Sequence, residues 1–147
     1  MSGVFLARVM LSALAAVQGI ASCAIDLNRT HATNPLWPGH ARFHLVWQRG
    51  TSFLAAVIEV LLVWWHAPAV SSRFYLAAVL TGIPMIAFVL AVLVRPLYHG
   101  TLHDANGIPP LRVRPGRRVL ELDGNALAVG AGLVVLAMAV WLFYSRT

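Results

Sequence analysis

Apolar residues fall along this chain in long blocks separated by polar stretches, with no sustained alternation of period two. The blocks run from about Val4 to Ile25, Gly39 to His66, Arg73 to Val94 and Asn125 to Tyr144. Each is near or above the ~20 residues that an α-helix needs to cross a hydrocarbon core of about 30 Å. The pattern predicts an all-α membrane protein: a four-transmembrane-helix bundle, helices about 4–25, 39–66, 73–94 and 125–144, forming one polytopic domain over 1–147.

Local signals sharpen the ends. Asn34-Pro35 and Trp37-Pro38 are breakers, and Pro38 suits the first turn of a helix, where a missing N–H costs nothing. The second block is then about 42 Å long at ~1.5 Å per residue, so its first turns stand in the head-group layer. Trp64-Trp65 marks the opposite interface. Gly82 and Pro84 predict a kink in the third helix. Ala126, Gly130 and Gly132 suit close packing of the fourth. Leu111 to Asp123 reads as a short β-hairpin around Pro115-Gly116, in the loop between helices 3 and 4.

Composition agrees: 59% of residues are hydrophobic and 11% charged, against about 25% charged in soluble domains. The net charge is +6, carried by eleven arginines and no lysine. These arginines sit mostly at the ends of apolar blocks, where they set topology and meet anionic head groups, not on a soluble basic face. Nucleic acid is therefore not an expected partner. The one cysteine, Cys23, ends an Ile20-Ala21-Ser22-Cys23 box like that of a bacterial lipoprotein leader, but the only charge before it, Arg8, lies inside the apolar run. An ordinary first transmembrane helix is expected.

Four crossings put the loops at 26–38 and 95–123 on one side and both termini on the other. Arg29, Arg42, Arg49, Arg95, Arg112, Arg114, Arg117 and Arg118 fall on the loop side, and Arg8, Arg73 and Arg146 on the other. The excess predicts cytoplasmic loops, in a multi-pass protein of, by expectation, the bacterial inner membrane.

The same counting gathers the candidate chemistry. His31, His40, His44, His99, His103, Asp26 and Asp104 all belong to the loop side. His40 and His44 are one helical turn apart and begin a polar stripe that continues through Gln48, Thr51 or Ser52 and Glu59. His99 and His103 share the spacing, with Gly100 between them. Imidazoles four residues apart on a helix can hold one metal ion, and mixed histidine and carboxylate ligands suit Fe, Zn or Cu. The expected metal ligands are His40, His44, His99, His103 and Asp104. Metal-free acid–base chemistry and a purely structural hydrogen-bond network stay open beside that reading. Trp37, Asn34, Arg42, Phe43 and Trp47 are the expected substrate contacts.

Glu59 is a separate expectation. An ionisable group at membrane depth costs at least ~2.5 kcal/mol on insertion scales and is a functional candidate by default. It lies about 22 Å along the helix from His44 at ~1.5 Å per residue, which argues for a task of its own. Gln18, Arg8 and Arg73 are its candidate partners, and Gln18 is expected to make a helix-to-helix hydrogen bond.

Thr30-His31-x-x-Asn34-Pro35-x-Trp37-Pro38-x-His40-Ala41-Arg42-Phe43-His44 resembles a signature of small four-helix membrane proteins of unknown function. The resemblance covers that stretch closely and the rest by helix layout, and implies the fold without an activity. In general shape the chain is also similar to quinone-linked and anthrone-oxygenase-type small membrane proteins, whose particular motifs it does not carry. The sequence therefore predicts a small integral-membrane enzyme acting on a lipophilic substrate by oxidation, isomerisation or cyclisation. Its catalytic residues would be His31, His40, His44, Asp26 and Glu59. The alternative is a transport or accessory subunit with structural histidines and Glu59 on an ion or partner path. Expected partners are membrane lipids and a lipophilic small molecule, with a homodimer as the candidate assembly.

Overall fold

A computed structural model describes residues 2–104 and 106–147. Among these residues, four helices are long and apolar enough to cross a membrane. The first is composite: α1 (Gly3–Ala16), one π-helical turn (Val17–Ala21) and α2 (Ser22–Asp26) run without a break. Then follow α3 (Gly39–Trp64), α4 (Val70–Val94) and α5 (Gly124–Tyr144). Between α4 and α5 the chain makes a 3₁₀ turn (Arg95–Tyr98) and a hairpin of β1 (Leu111–Val113) and β2 (Leu120–Leu122). The strands pair antiparallel, Leu111 with Leu122, Arg112 with Glu121 and Val113 with Leu120. Gly116 supplies a positive φ of 66° in the connection, a conformation that glycine adopts without a Cβ clash.

The helices form a ring in which α1 packs on α5 and α3, and α4 on α3 and α5. The core is at the end where the termini and the 65–69 turn meet: Ala7, Leu11, Val63, Phe74, Ala77, Ala78 and Phe143. There Phe74 and Phe143 stack with ring centroids 3.8 Å apart. Two arginines secure the same end. Arg8 donates to the Val63 carbonyl and lies 4.4 Å over the Trp64 ring. Arg73 donates to the carbonyls of Leu62, Trp65, Ala67 and Pro68, satisfying the end of α3 that has no helical donors left. Arginine fits both places because its fork carries several N–H groups in fixed directions.

Towards the loops the bundle loosens. On α3 the buried positions are Ala56, Glu59 and Val63, and on α4 none lies beyond Met85. Large apolar side chains such as Val79, Ile86, Leu90, Leu93, Val134, Met138 and Trp141 stay exposed, as expected of a surface solvated by lipid chains. Gly19 sets the crossing of the first span over α3: a Cβ there would stand 2.5 Å from the Ala56 Cβ. Gly132 lies close to Met85, whereas Gly130 faces open space. The two long loops do share one side, joined where Asn34 Nδ2 donates to the Asn106 carbonyl at 3.0 Å.

Candidate functional site

The loosened half encloses a cavity of about 640 Å³ between the π turn, α3 and α4. Its mouth carries His44, Trp47, Gln48 and Arg49, and its wall Thr51, Ser52 and Ala55. Gln18, Glu59 and Leu80 line the deeper part, and Ile83 and Pro84 its α4 edge. Thr51, Ile83 and Pro84 are exposed, so the cavity opens on the flank between α3 and α4, where lipid would lie.

The π turn and α4 flank the buried part of the cavity from opposite sides. A π turn adds a residue to the helical turn and leaves carbonyls off the i+4 ladder. The Ser22 hydroxyl donates to the Gln18 carbonyl, and the Gln18 side chain crosses to α4. There Gln18 Nε2 donates to the Thr81 carbonyl at 3.0 Å, next to the Leu80 carbonyl that Pro84 deprives of its usual donor. Thr81 is fully buried and Glu59 is 4% exposed. The Thr81 hydroxyl stands 2.7 Å from Glu59 Oε2 and 2.9 Å from the Ala77 carbonyl.

That hydroxyl has one hydrogen for two acceptors. With Glu59 as the carboxylate, Thr81 donates to it. With Glu59 as the acid, Glu59 donates to Thr81 and Thr81 donates to Ala77. The same heavy-atom positions serve both protonation states, so a proton can come and go without rearrangement of the helices. The partners expected for Glu59 from sequence are corrected here: Arg8 and Arg73 serve the carbonyls at the end of α3, Gln18 reaches the Thr81 backbone, and the side-chain partner is Thr81. The separation of Glu59 from His44 is also revised, since both line one cavity.

At the mouth, His40 Nε2 and His44 Nε2 are 3.0 Å apart. One imidazole donates and the other accepts, which requires unlike tautomers or one shared proton. His44 stacks on Trp47 at 5.8 Å, and Phe43 lies 6.3 Å from Trp47. All four side chains are exposed, forming an aromatic rim.

Asp26 and His31 occupy a neighbouring cluster. Asp26 Oδ2 lies 3.4 Å from Arg49 Nε and Oδ1 lies 3.8 Å from His31 Nδ1. Both are ion-pair distances, and the Arg49 Nε–H is not aligned as a hydrogen bond. His31 Nδ1 is 2.7 Å from the Thr30 hydroxyl, and its ring meets Trp37 edge-on at 5.0 Å. The loop is built by its own polar side chains: Asn28 donates to the carbonyls of Ala24 and Ile25 and accepts from the Thr30 N–H. Asn34, expected to touch substrate, is 5% exposed and spans the loops, accepting from Leu36 N–H while donating to Asn106. Its geometry is that of a clamp. Trp37 Nε1 and Arg42 Nε are buried without a hydrogen-bond partner among the described residues.

The expected metal set does not converge. His99 and His103 line a second cavity with Arg95, Glu121 and Asp123, apart from His40 and His44. The 3₁₀ turn stops at His99, which has a left-handed φ of 55°, so His99 and His103 do not share a helix face. Asp104 Oδ1 accepts from the Asn106 N–H at 2.7 Å and closes its own turn. Among the described residues no three histidine, cysteine or acidic side chains are placed to hold one ion. No protein family, curated protein or solved structure matches this chain.

Proposed function

We propose that this chain is a small multi-pass membrane enzyme, of the bacterial inner membrane by expectation, that admits a lipophilic molecule between α3 and α4 and performs acid–base chemistry on it with Glu59. The observation that carries the reading is a buried carboxyl on the wall of a flank-opening cavity, held by a hydroxyl that serves it in either protonation state. Structural carboxylates in membrane helices are ordinarily matched to a cation. Here Arg8 and Arg73, at the opposite end of the bundle, are engaged on backbone carbonyls, and Arg49 at the cavity mouth lies 3.4 Å from Asp26.

The substrate class follows from the lining. Leu80, Ile83, Ala55 and Ala56 accept a hydrocarbon body, while Gln48, Ser52 and Gln18 offer hydrogen bonds to a carbonyl or hydroxyl. Glu59 would give a proton to an alkene or carbonyl carbon skeleton and recover one from a neighbouring carbon, the exchange that isomerisation and cyclisation require. Trp47 and Phe43 would guide the molecule from the head-group layer, and His44 with His40 would pass protons between water and the cavity mouth. Asp26, His31, Trp37 and Arg42 support the wall through Arg49 and the first loop. Membrane lipids are the surrounding partner, and a homodimer is the assembly to look for.

The test is the content of protein purified in mild detergent. Wild type should retain a lipophilic molecule detectable by mass spectrometry, and Ala55→Phe, which fills the cavity from its wall, should lose it. Equal content in both would end the cavity reading. Retention without turnover, with loss of an ion flux in Glu59→Gln, would favour the transport alternative.

A second reading makes the reaction an oxidation. His40 Nε2 and His44 Nε2 lie 3.0 Å apart, close enough for both imidazoles to hold one ion if one were bound. Fe, Zn or Cu held there would supply Lewis-acid or redox chemistry, with water or substrate completing the shell. Its test is elemental analysis: metal in wild type and none in His40→Ala would favour it, and no metal in either would remove it.

A further inference from the structure

The hairpin between α4 and α5 has two unlike faces. Side chains alternate along a strand, and the register places Leu111, Val113, Leu120 and Leu122 on one face and Arg112 with Glu121 on the other. The apolar face is open: Leu111 is 58%, Val113 41% and Leu120 48% exposed. Apart from each other, the strands make no broad contact with any helix among the described residues. An isolated two-stranded hairpin is marginal in water and needs a surface to lie on.

Charge indicates which surface. Arg112 is paired with Glu121 at 3.0 Å. Arg114, Arg117 and Arg118, in the connection between the strands, are exposed, and among the described residues their guanidinium groups make no ion pair or hydrogen bond. Three free guanidinium groups beside an apolar face match anionic phosphates lying above acyl chains. Position agrees: β2 ends at Leu122, Asp123 caps α5 by accepting from the Ala126 N–H, and α5 enters the membrane directly. The hairpin is thus tethered at the head-group layer. Glu121 lines the second cavity, which turns the opposite, apolar face away from the protein.

We propose that the β1–β2 hairpin is a lipid-seated anchor: Leu111, Val113 and Leu120 enter the acyl boundary while Arg114, Arg117 and Arg118 bind the phosphates of anionic lipids. Near a charged leaflet each arginine contributes about five-fold to partition. The seat therefore depends on anionic lipid and weakens with salt. Because the hairpin loop is also joined to the first loop through Asn34 and Asn106, seating it fixes the protein surface beside the cavity mouth.

The test uses the full chain in a Cys23→Ser background, one chain per nanodisc, with a fluorophore on Val113→Cys or on Glu121→Cys. Discs are phosphatidylcholine alone or mixed with phosphatidylglycerol. The expected result is stronger quenching of the Val113 label by brominated acyl chains, and a fall of about five-fold or more in its access to an aqueous quencher when phosphatidylglycerol is present. That fall should vanish in the Arg114→Gln, Arg117→Gln, Arg118→Gln variant, whose substitutions are exposed and leave the strands intact, and should shrink at high salt. Equal aqueous access of the two labels in both lipids overturns the proposal. Protection that appears only with two chains per disc also overturns it, assigning the face to a second copy.

Discussion

Thr81→Val isolates the hydrogen bond on which the Glu59 site depends. Valine nearly matches threonine in volume and opens no cavity, but removes the hydroxyl that stands 2.7 Å from Glu59 Oε2. Side-chain hydrogen bonds between membrane helices average only about 0.6 kcal/mol, with a maximum near 1.7, because the unfolded chain also finds partners in the membrane. The Thr81 bond belongs at the upper end. Thr81 is 0% and Glu59 4% exposed, and Oε2 has no other partner among the described residues, so the loss leaves a buried carboxyl oxygen unsatisfied at about 1–3 kcal/mol. We expect a destabilisation of about 1.5 kcal/mol by reversible unfolding in mixed micelles. Gln18→Leu removes a bond to a backbone carbonyl instead and should cost about 0.6 kcal/mol. In a Glu59→Leu background Thr81→Val should cost little, since there is no carboxyl to strand, and the difference between backgrounds measures the pair. If Thr81→Val costs no more than Gln18→Leu, or costs the same in both backgrounds, then water or lipid in the cavity serves the carboxyl and the argument for a held proton site fails.

Three further outcomes follow from the packing. Gly19→Ala places a Cβ 2.5 Å from that of Ala56, so the first span must move off α3; we expect about 1–3 kcal/mol of destabilisation and altered retention of the cavity's contents, read in the same unfolding and mass-spectrometry assays. Asn34→Ala breaks the bonds to Asn106 and Leu36 and should raise proteolysis in the 99–110 loop with little change in the unfolding of the helices. Asp26→Asn removes a partly exposed ion pair, for which about 0.2–1 kcal/mol is expected; a larger loss would mean that Arg49 and the first loop are held by that charge far more strongly than their exposure implies.

Much of the architecture was legible because it rests on composition and counting. Four apolar blocks become four spans since unpaired backbone cannot stand in hydrocarbon. The odd and even loops must then fall on opposite sides, and the Asn34–Asn106 bond lies where that count requires it. Gln18 crosses to another helix as a polar group at depth must. The site was read less well. Thr81 sits in an aliphatic run, and a helical threonine commonly bonds back to its own turn, so nothing in Tyr75 to Met85 marks it as the partner of Glu59. The π turn leaves no trace in residue type, yet it directs Gln18 and brings Gly19 against Ala56. The equal spacing of His40 with His44 and of His99 with His103 suggested two like pairs. The left-handed turn at His99 makes them unlike, because spacing fixes a face only where the helix continues. The distance from His44 to Glu59 along α3 was sound, but a cavity running beside the helix joins them.

The central claim is that Glu59 exchanges protons with a lipophilic molecule in the cavity, and solvent deuterium tests it most directly. The molecule extracted with the wild-type protein is returned to purified wild type and to Glu59→Gln, each incubated in deuterated buffer, and analysed by mass spectrometry for deuterium bound to carbon. Wild type should introduce deuterium at carbon and Glu59→Gln, which keeps the shape and the Thr81 hydrogen bond, should not. Incorporation at the same rate by both proteins, or by neither, would contradict the account.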